Sequence, residues 1–244
     1  MSIHFPTIDP GRLARIKRLD RGEHNPPNGE FAACAMEAVA YVAGEPWSDA
    51  PECACPILTA FLQAWNDDLG DDERTSLLLP LVPRIVGTRG SEAMEVRRAT
   101  MAGDWYVRVF IPAWLRLAKL DEHADTLADY PEITSVEQAA GVLPALEAAD
   151  NAALARSAGW IAVLSTMRSA AGPAAWSTVW SKARSVESAG WSAARSAAWS
   201  AAEAAAWVAR SPAALSDTRV ALQASALDLI SRMIDAQDAE QEAA

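Results

Sequence analysis

Residues 173–211 read PAAWSTVWSKARSVESAGWSAARSAAWSAAEAAAWVARS. The stretch is nearly all Ala and Ser, broken by a Trp or a single charge. Ala is the strongest helix former, and Pro173 suits a first helical position. Gly172 closes whatever precedes it, and Ser211-Pro212 stops the run. One unbroken helix over 173–210 spans roughly 57 Å. A tetrapeptide recurs inside it: Ser-Ala-Gly-Trp191, Ser-Ala-Ala-Arg195, Ser-Ala-Ala-Trp199, Ser-Ala-Ala-Glu203, Ala-Ala-Ala-Trp207. Four residues overshoot a 3.6-residue turn, so each repeat drifts roughly 40° around the axis. Trp176, Trp180, Trp191 and Trp199 then share an arc of roughly 140°, while Trp207 lies on the far side. The segment therefore either meets partners on several faces or breaks near Gly190 into a hairpin.

Methyl-sized side chains let such a helix approach another below the usual ~8–10 Å axis spacing. The indoles supply the apolar area that Ala lacks. A tightly packed helical arm is the expectation. The competing reading is a ligand-stacking row made by Trp191, Arg195, Trp199 and Trp207, since aromatic platforms take up planar molecules such as nucleotides. A surface for a partner protein is a third use of the same residues.

Working outward, the chain of 244 residues is long enough for one large domain or two small ones, with a sizeable core. Its net charge of −11 is uneven. Residues 1–152 carry −11, residues 153–232 carry +4, and residues 233–244 carry −4. An acidic chain is poorly suited to duplex nucleic acid, whose affinity comes from neutralised phosphates. No secretory leader and no apolar run of ~18 residues is evident, so a cytoplasmic protein with no membrane span is expected. Three Cys outside a secretory context argue against a disulfide scaffold.

The remaining segments read as helices, with no convincing alternating strand. Asp9-Pro10 predicts a short basic helix over 11–19. Residues 30–43 form an apolar-faced helix closed by Gly44, and Pro56 opens another to about Asp68. Asp71 is the expected cap of a third, interrupted by Pro80 and Pro83. Ser91 starts a longer helix toward Phe110, kinked at Pro112. Residues 106–111 are the one β-branched, aromatic run, set inside a helical pattern. A short helix is expected over 122–129, a capping box at Ser135 and Gln138, and a helix over 145–171. Ser216 or Asp217 is the expected cap of the last helix.

Cys34, Glu37, Cys53 and Cys55 form the best chemical constellation. Cys34 and Glu37 lie three apart, on one helix face. Cys53 and Cys55 lie two apart in a loop, which puts both thiols on one side if the loop is extended. Thiolates and a carboxylate are zinc ligands. Three Cys with an open position suit a zinc-dependent hydrolase or lyase with Glu37 as base, whereas four closed ligands suit a structural metal. Buried, inert thiols are the competing reading. Glu45 and Asp49, flanking Trp47, are a second candidate acid/base pair, or else turn residues bonding backbone. His4, His24 and His123 are scattered, with no local metal or triad pattern. There is no Gly-rich phosphate loop, dinucleotide fingerprint or nucleophile elbow.

The segment CAMEAVAYVAGEPWSDAPECACPILTAFLQAWND with the later LLLPLVPRIVGTRG resembles a family of uncharacterised Ala/Trp-rich helical proteins from actinobacteria and their phages. The shared pattern falls on Cys34, Glu37, Gly44, Glu45, Ser48, Asp49, Pro51, Cys53, Cys55 and Pro56. A His in relatives where Cys55 stands implies a metal site, and a phage- or defence-related role is what the resemblance implies for function.

The expectation is an all-α protein: an acidic helical body, residues 1–150, packed on an Ala/Trp-rich arm or hairpin with a closing amphipathic helix, residues 151–244. The leading function is a non-enzymatic cytosolic binding or scaffold protein that forms homo-oligomers through the arm. The alternatives are zinc-dependent chemistry at Cys34, Cys53 and Cys55, and a small-molecule sponge that stacks nucleotides on Trp.

Overall fold

A computed structural model describes residues 7–27, 31–157 and 212–236. The Ala/Ser/Trp stretch lies outside the described residues. So do Trp191, Arg195, Trp199, Trp207, the choice between arm and hairpin, and most of the expected 151–244 part. The described chain is all-α: among these residues there are helices and connections and no strand. It divides into two compact units. The first holds described residues up to 95 together with 230–236; the second holds 96–157 and 212–229.

The first unit is built around helix α2, Ala35–Ala43. Every α2 residue except Tyr41 and Ala43 is buried, Glu37 included. A helix buried on all sides is an interior element. It packs against α1 (Pro10–Arg15), α3 (Pro56–Asp68) and α5 (Val82–Ile85). Its end is local and legible: Gly44 adopts φ +77°, and its N–H returns to Ala40 and Tyr41 carbonyls. Its start differs from the expected residue 30. Cys34 is the N-cap, and Ala33 is held outside the helix because its carbonyl accepts from Asp20 N–H at 2.8 Å.

Asp9 caps α1 as expected, accepting from Gly11 and Arg12 N–H at 2.8 and 3.1 Å. The helix ends at Arg15, not at 19. Leu19 and Asp20 instead donate to Thr75 Oγ1 and the Ala33 carbonyl, so tertiary bonds replace helical ones. Helix α3 runs over the expected residues, with Pro56 at its start. Helix α4, Asp71–Leu78, corrects the expected cap: Gly70 holds that position, and Asp71 lies in the first turn, bonded to Arg74. Pro80 and Pro83 then give a 3₁₀ turn, Leu79–Leu81, running into α5.

Helix α6, Glu92–Trp105, begins with Ser91 Oγ accepting from Met94 N–H at 3.2 Å and continues into the second unit. The β-branched, aromatic run 106–110 is helical but wide: Tyr106–Phe110 is a π segment, and Ile111 N–H reaches the Tyr106 carbonyl, five residues back. Pro112 has no N–H to continue an ordinary ladder, which accounts for a bulge immediately before it. The aromatic rings fill the space: Tyr106 stacks on Phe110 at 5.3 Å, and Phe110 meets Trp114 edge-on at 6.0 Å. Helices α7 (Ile111–Leu117), α8 (Asp121–Ala128), α9 (Val136–Gly141) and α10 (Leu143–Ser157) follow.

Ser135 caps α9 by accepting from Gln138 N–H, but the reciprocal bond goes elsewhere: Gln138 Oε1 accepts from Thr134 N–H at 2.7 Å. Helix α11 spans Pro212–Asp235. It therefore starts before the expected Ser216 or Asp217, at a Pro suited to a first helical position. Leu222, Ala226 and Leu229 of α11, which belong to the second unit, and Ile230 and Met233, which belong to the first, are all buried. No described helix is long and apolar enough to cross a membrane.

Candidate functional site

Two carboxylates organise the region that the sequence singled out. The first is Glu37, in the opening turn of α2 and fully buried. Its Oε2 accepts from Cys34 N–H at 2.7 Å, while Cys34 Sγ accepts from Glu37 N–H at 3.4 Å. This reciprocal capping box uses a thiol where Ser or Thr is usual. Glu37 also reaches across to the preceding loop. Its Oε1 accepts from His24 N–H at 2.5 Å, and its Oε2 lies 2.9 Å from His24 Nδ1. Three donors thus converge on one buried carboxylate, which is how such a group is tolerated in an interior.

The second carboxylate is Glu45, just past the end of α2. It accepts from Glu52 and Cys53 N–H at 2.7 and 2.8 Å, which folds the 45–53 loop back on itself. Asp49 accepts from Gln63 of α3 at 2.9 Å through its carboxylate and at 2.8 Å through its carbonyl. Glu45 and Asp49 are therefore held by separate partners in loop-fixing roles.

Cys34, Cys53 and Cys55 are all buried free thiols. Burial, assisted by the charge of Glu37, pushes the Cys34 thiol up to about 12. Burial, followed by hydrogen bonding to Glu45, pushes Cys53 up to about 11. A metal ligand must be the thiolate, and these surroundings disfavour it. Cys55 is the residue before α3, and its N–H donates to Thr88 Oγ1 at 3.0 Å. Cys34 and Glu37 belong to one network, and Cys53 to the other. Among the described residues no group of three or more His, Cys, Asp or Glu side chains is placed to hold a metal ion. The expected assembly of Cys34, Glu37, Cys53 and Cys55 is not formed there.

The residue that sequence reasoning passed over is His24. It stands thirteen positions before Glu37, in a loop, and no helical or strand period connects the two. Trp47 fixes the same loop, its indole N–H donating to the His24 carbonyl at 2.8 Å. Trp47 packs edge-on against Phe31 and Tyr41, with ring centres 6.0 and 6.3 Å away, and those two rings lie 5.0 Å from each other. The Arg12 guanidinium lies 5.2 Å from the centre of the Tyr41 ring and donates to the Tyr41 carbonyl at 2.8 Å. An aromatic wall thus runs from α1, across the end of α2, to the His24 loop.

Comparison with protein-family models, with curated proteins and with solved structures finds no match to this chain.

Proposed function

We propose that the protein is a non-enzymatic helical scaffold of the cytosol that forms homo-oligomers through its Ala/Ser/Trp-rich segment. The observation that carries this reading is the concentration of indoles among methyl-sized residues. Of ten Trp in the chain, five stand in 173–211. Such a segment has large apolar area at intervals and little bulk between, a pattern suited to close nesting of helices. The described body supports the reading from the other side. The carboxylates with the best claim to catalysis, Glu37, Glu45 and Asp49, are each engaged in holding a helix start or a loop. Two of the three thiols are held protonated.

Light scattering after size-exclusion chromatography, over a hundredfold range of concentration, tests the proposal. The full chain is expected to elute as an oligomer. Replacing Trp191, Trp199 and Trp207 together by Ser is expected to shift it toward monomer. Deleting 173–210 is expected to leave an aggregated or unfolded remainder. A full chain that is monomeric at every concentration overturns the reading, as does a deletion variant that stays monomeric and unfolds cooperatively.

A further inference from the structure

We infer that His24 is a site of covalent modification, its Nε2 accepting a phosphoryl group while Glu37 keeps the proton on Nδ1. An ionised Glu accepts hydrogen bonds and donates none. Glu37 Oε2 lies 2.9 Å from His24 Nδ1, so Nδ1 carries the hydrogen, and whenever the ring is neutral its lone pair sits on Nε2. The alternative tautomer places two acceptors against each other inside the protein. Glu37 has no freedom to turn away, because its two oxygens are also bonded by the N–H groups of His24 and Cys34.

The loop is fixed as well as the ring. Trp47 bonds the His24 carbonyl, and Gly22 N–H donates to Asp67 Oδ1 at 2.8 Å. The imidazole side chain keeps 20% of its surface exposed, and no described residue hydrogen-bonds Nε2. The structure therefore holds one ring nitrogen as a lone-pair donor in a set orientation, with its partner nitrogen backed by a negative charge. That arrangement activates a nucleophile, since the carboxylate offsets the positive charge the ring acquires when Nε2 bonds to an electrophile. Glu37 is a positioning residue here: it holds the imidazole, the His24 and Cys34 N–H groups and the Cys34 thiol, and acts on Nε2 only through the ring.

Phosphoramidate is a small phosphoryl donor that needs no enzyme, and it makes the step explicit. The Nε2 lone pair forms an N–P bond as the donor's own P–N bond breaks. The electrons of that bond leave on a nitrogen that is already protonated, giving ammonia. The Nδ1 proton stays against Glu37.

The full-length protein is incubated with phosphoramidate in native buffer and again in concentrated urea. Peptide mass spectrometry gives the rate at each His, and phosphorus NMR identifies the ring nitrogen. His123 is the internal reference, because it is part-exposed on α8 with no hydrogen-bond partner among the described residues. In the native chain His24 is expected to react about tenfold faster than His123, at Nε2, and in urea the two are expected to react alike. Glu37→Gln, if it retains a cooperative urea transition, is expected to lose the preference. Equal or slower reaction at His24, phosphorylation at its Nδ1, or an unchanged preference in folded Glu37→Gln overturns the inference. Where that variant does not fold, the native-to-urea change in the wild-type ratio decides the matter alone.

Discussion

Glu37 shows how a single side chain can have two structural duties. It closes the start of α2 through Cys34 and tethers a distant loop through His24. Truncating it leaves three donors without their acceptor in a buried place. Glu37→Ala is therefore expected to lower stability by about 3 kcal/mol, read from urea unfolding at neutral pH. A loss under about 1 kcal/mol shows that water replaces the carboxylate. The thiols give a second prediction, with a definite sign. Cys34 and Cys53 have folded pKa values raised to about 12 and about 11, against an ordinary value of 9.0. Below pH 9 both states hold the proton and stability is unaffected. Between pH 9 and about 11 to 12 the unfolded chain loses the proton and the folded chain keeps it, so stability falls as pH rises. Urea midpoints at pH 8 and 10.5 check this. The drop is expected to be smaller in Cys34→Ala, and no difference between that variant and wild type removes the explanation. The same burial predicts that disulfide reagents label these thiols slowly until the chain unfolds.

At the scale of elements, helix ends set by local chemistry and those set by distant partners behave differently. Gly44 ends α2 in the left-handed region, which costs any residue with a Cβ. Gly44→Ala is expected to cost about 1 kcal/mol in thermal or urea unfolding, and a neutral result means the turn relaxes. Arg74 joins α3 to α4 from the interior: its Nε donates to the Asn66 carbonyl at 2.7 Å and its Nη2 to the Leu69 carbonyl at 2.6 Å. Arg74→Met is expected to cost about 3 kcal/mol by orphaning two buried acceptors. Asp71→Asn, at the exposed end of the same arginine, is expected to change the urea midpoint hardly at all. The pattern explains what could be read from the sequence. Asp9, Gly44, Pro56 and Ser91 act within a turn of their own position, and their helix ends were legible. The start of α2 was not, because a thiol cap has no place among the usual Ser, Thr, Asp and Asn signals and because Ala33 is claimed by Asp20. The end of α1 was hidden for the same kind of reason, since Leu19 answers to Thr75. The spacing puts Cys34 and Glu37 on one helix face, whereas Cys34 is the extended residue before α2, and their reciprocal capping and the contact with His24 depend on a loop whose path no periodicity records.

At the scale of the whole molecule, α11 matters more than its position near the end of the chain suggests. Leu222 and Leu229, of the second unit, are 2% and 0% exposed, and Ile230 and Met233, of the first, are both 0% exposed. Ser225 of the same helix accepts from the Trp105 indole at 3.0 Å, and Asp235 pairs with Arg84 at 3.1 Å. The ion pair is exposed and contributes little. The four apolar side chains are decisive, because deleting any one of them in a core costs about 2–5 kcal/mol. Their combined loss exceeds the ~5–15 kcal/mol that separates a native domain from its unfolded chain only if most of them are well packed, as their burial indicates. A chain stopped before Pro212 is therefore expected to retain helical far-ultraviolet dichroism but to lose near-ultraviolet signal from Trp105 and its neighbours, to bind a hydrophobic dye, and to unfold without a sharp transition. Restoring 212–236 as a separate peptide in excess should recover part of the near-ultraviolet signal, because a ligand of the native state shifts the equilibrium by mass action. A truncated chain with native-like near-ultraviolet signal and a steep urea transition shows instead that each unit closes its own core without α11, and that the buried faces of this helix are consequences of folding rather than causes of it.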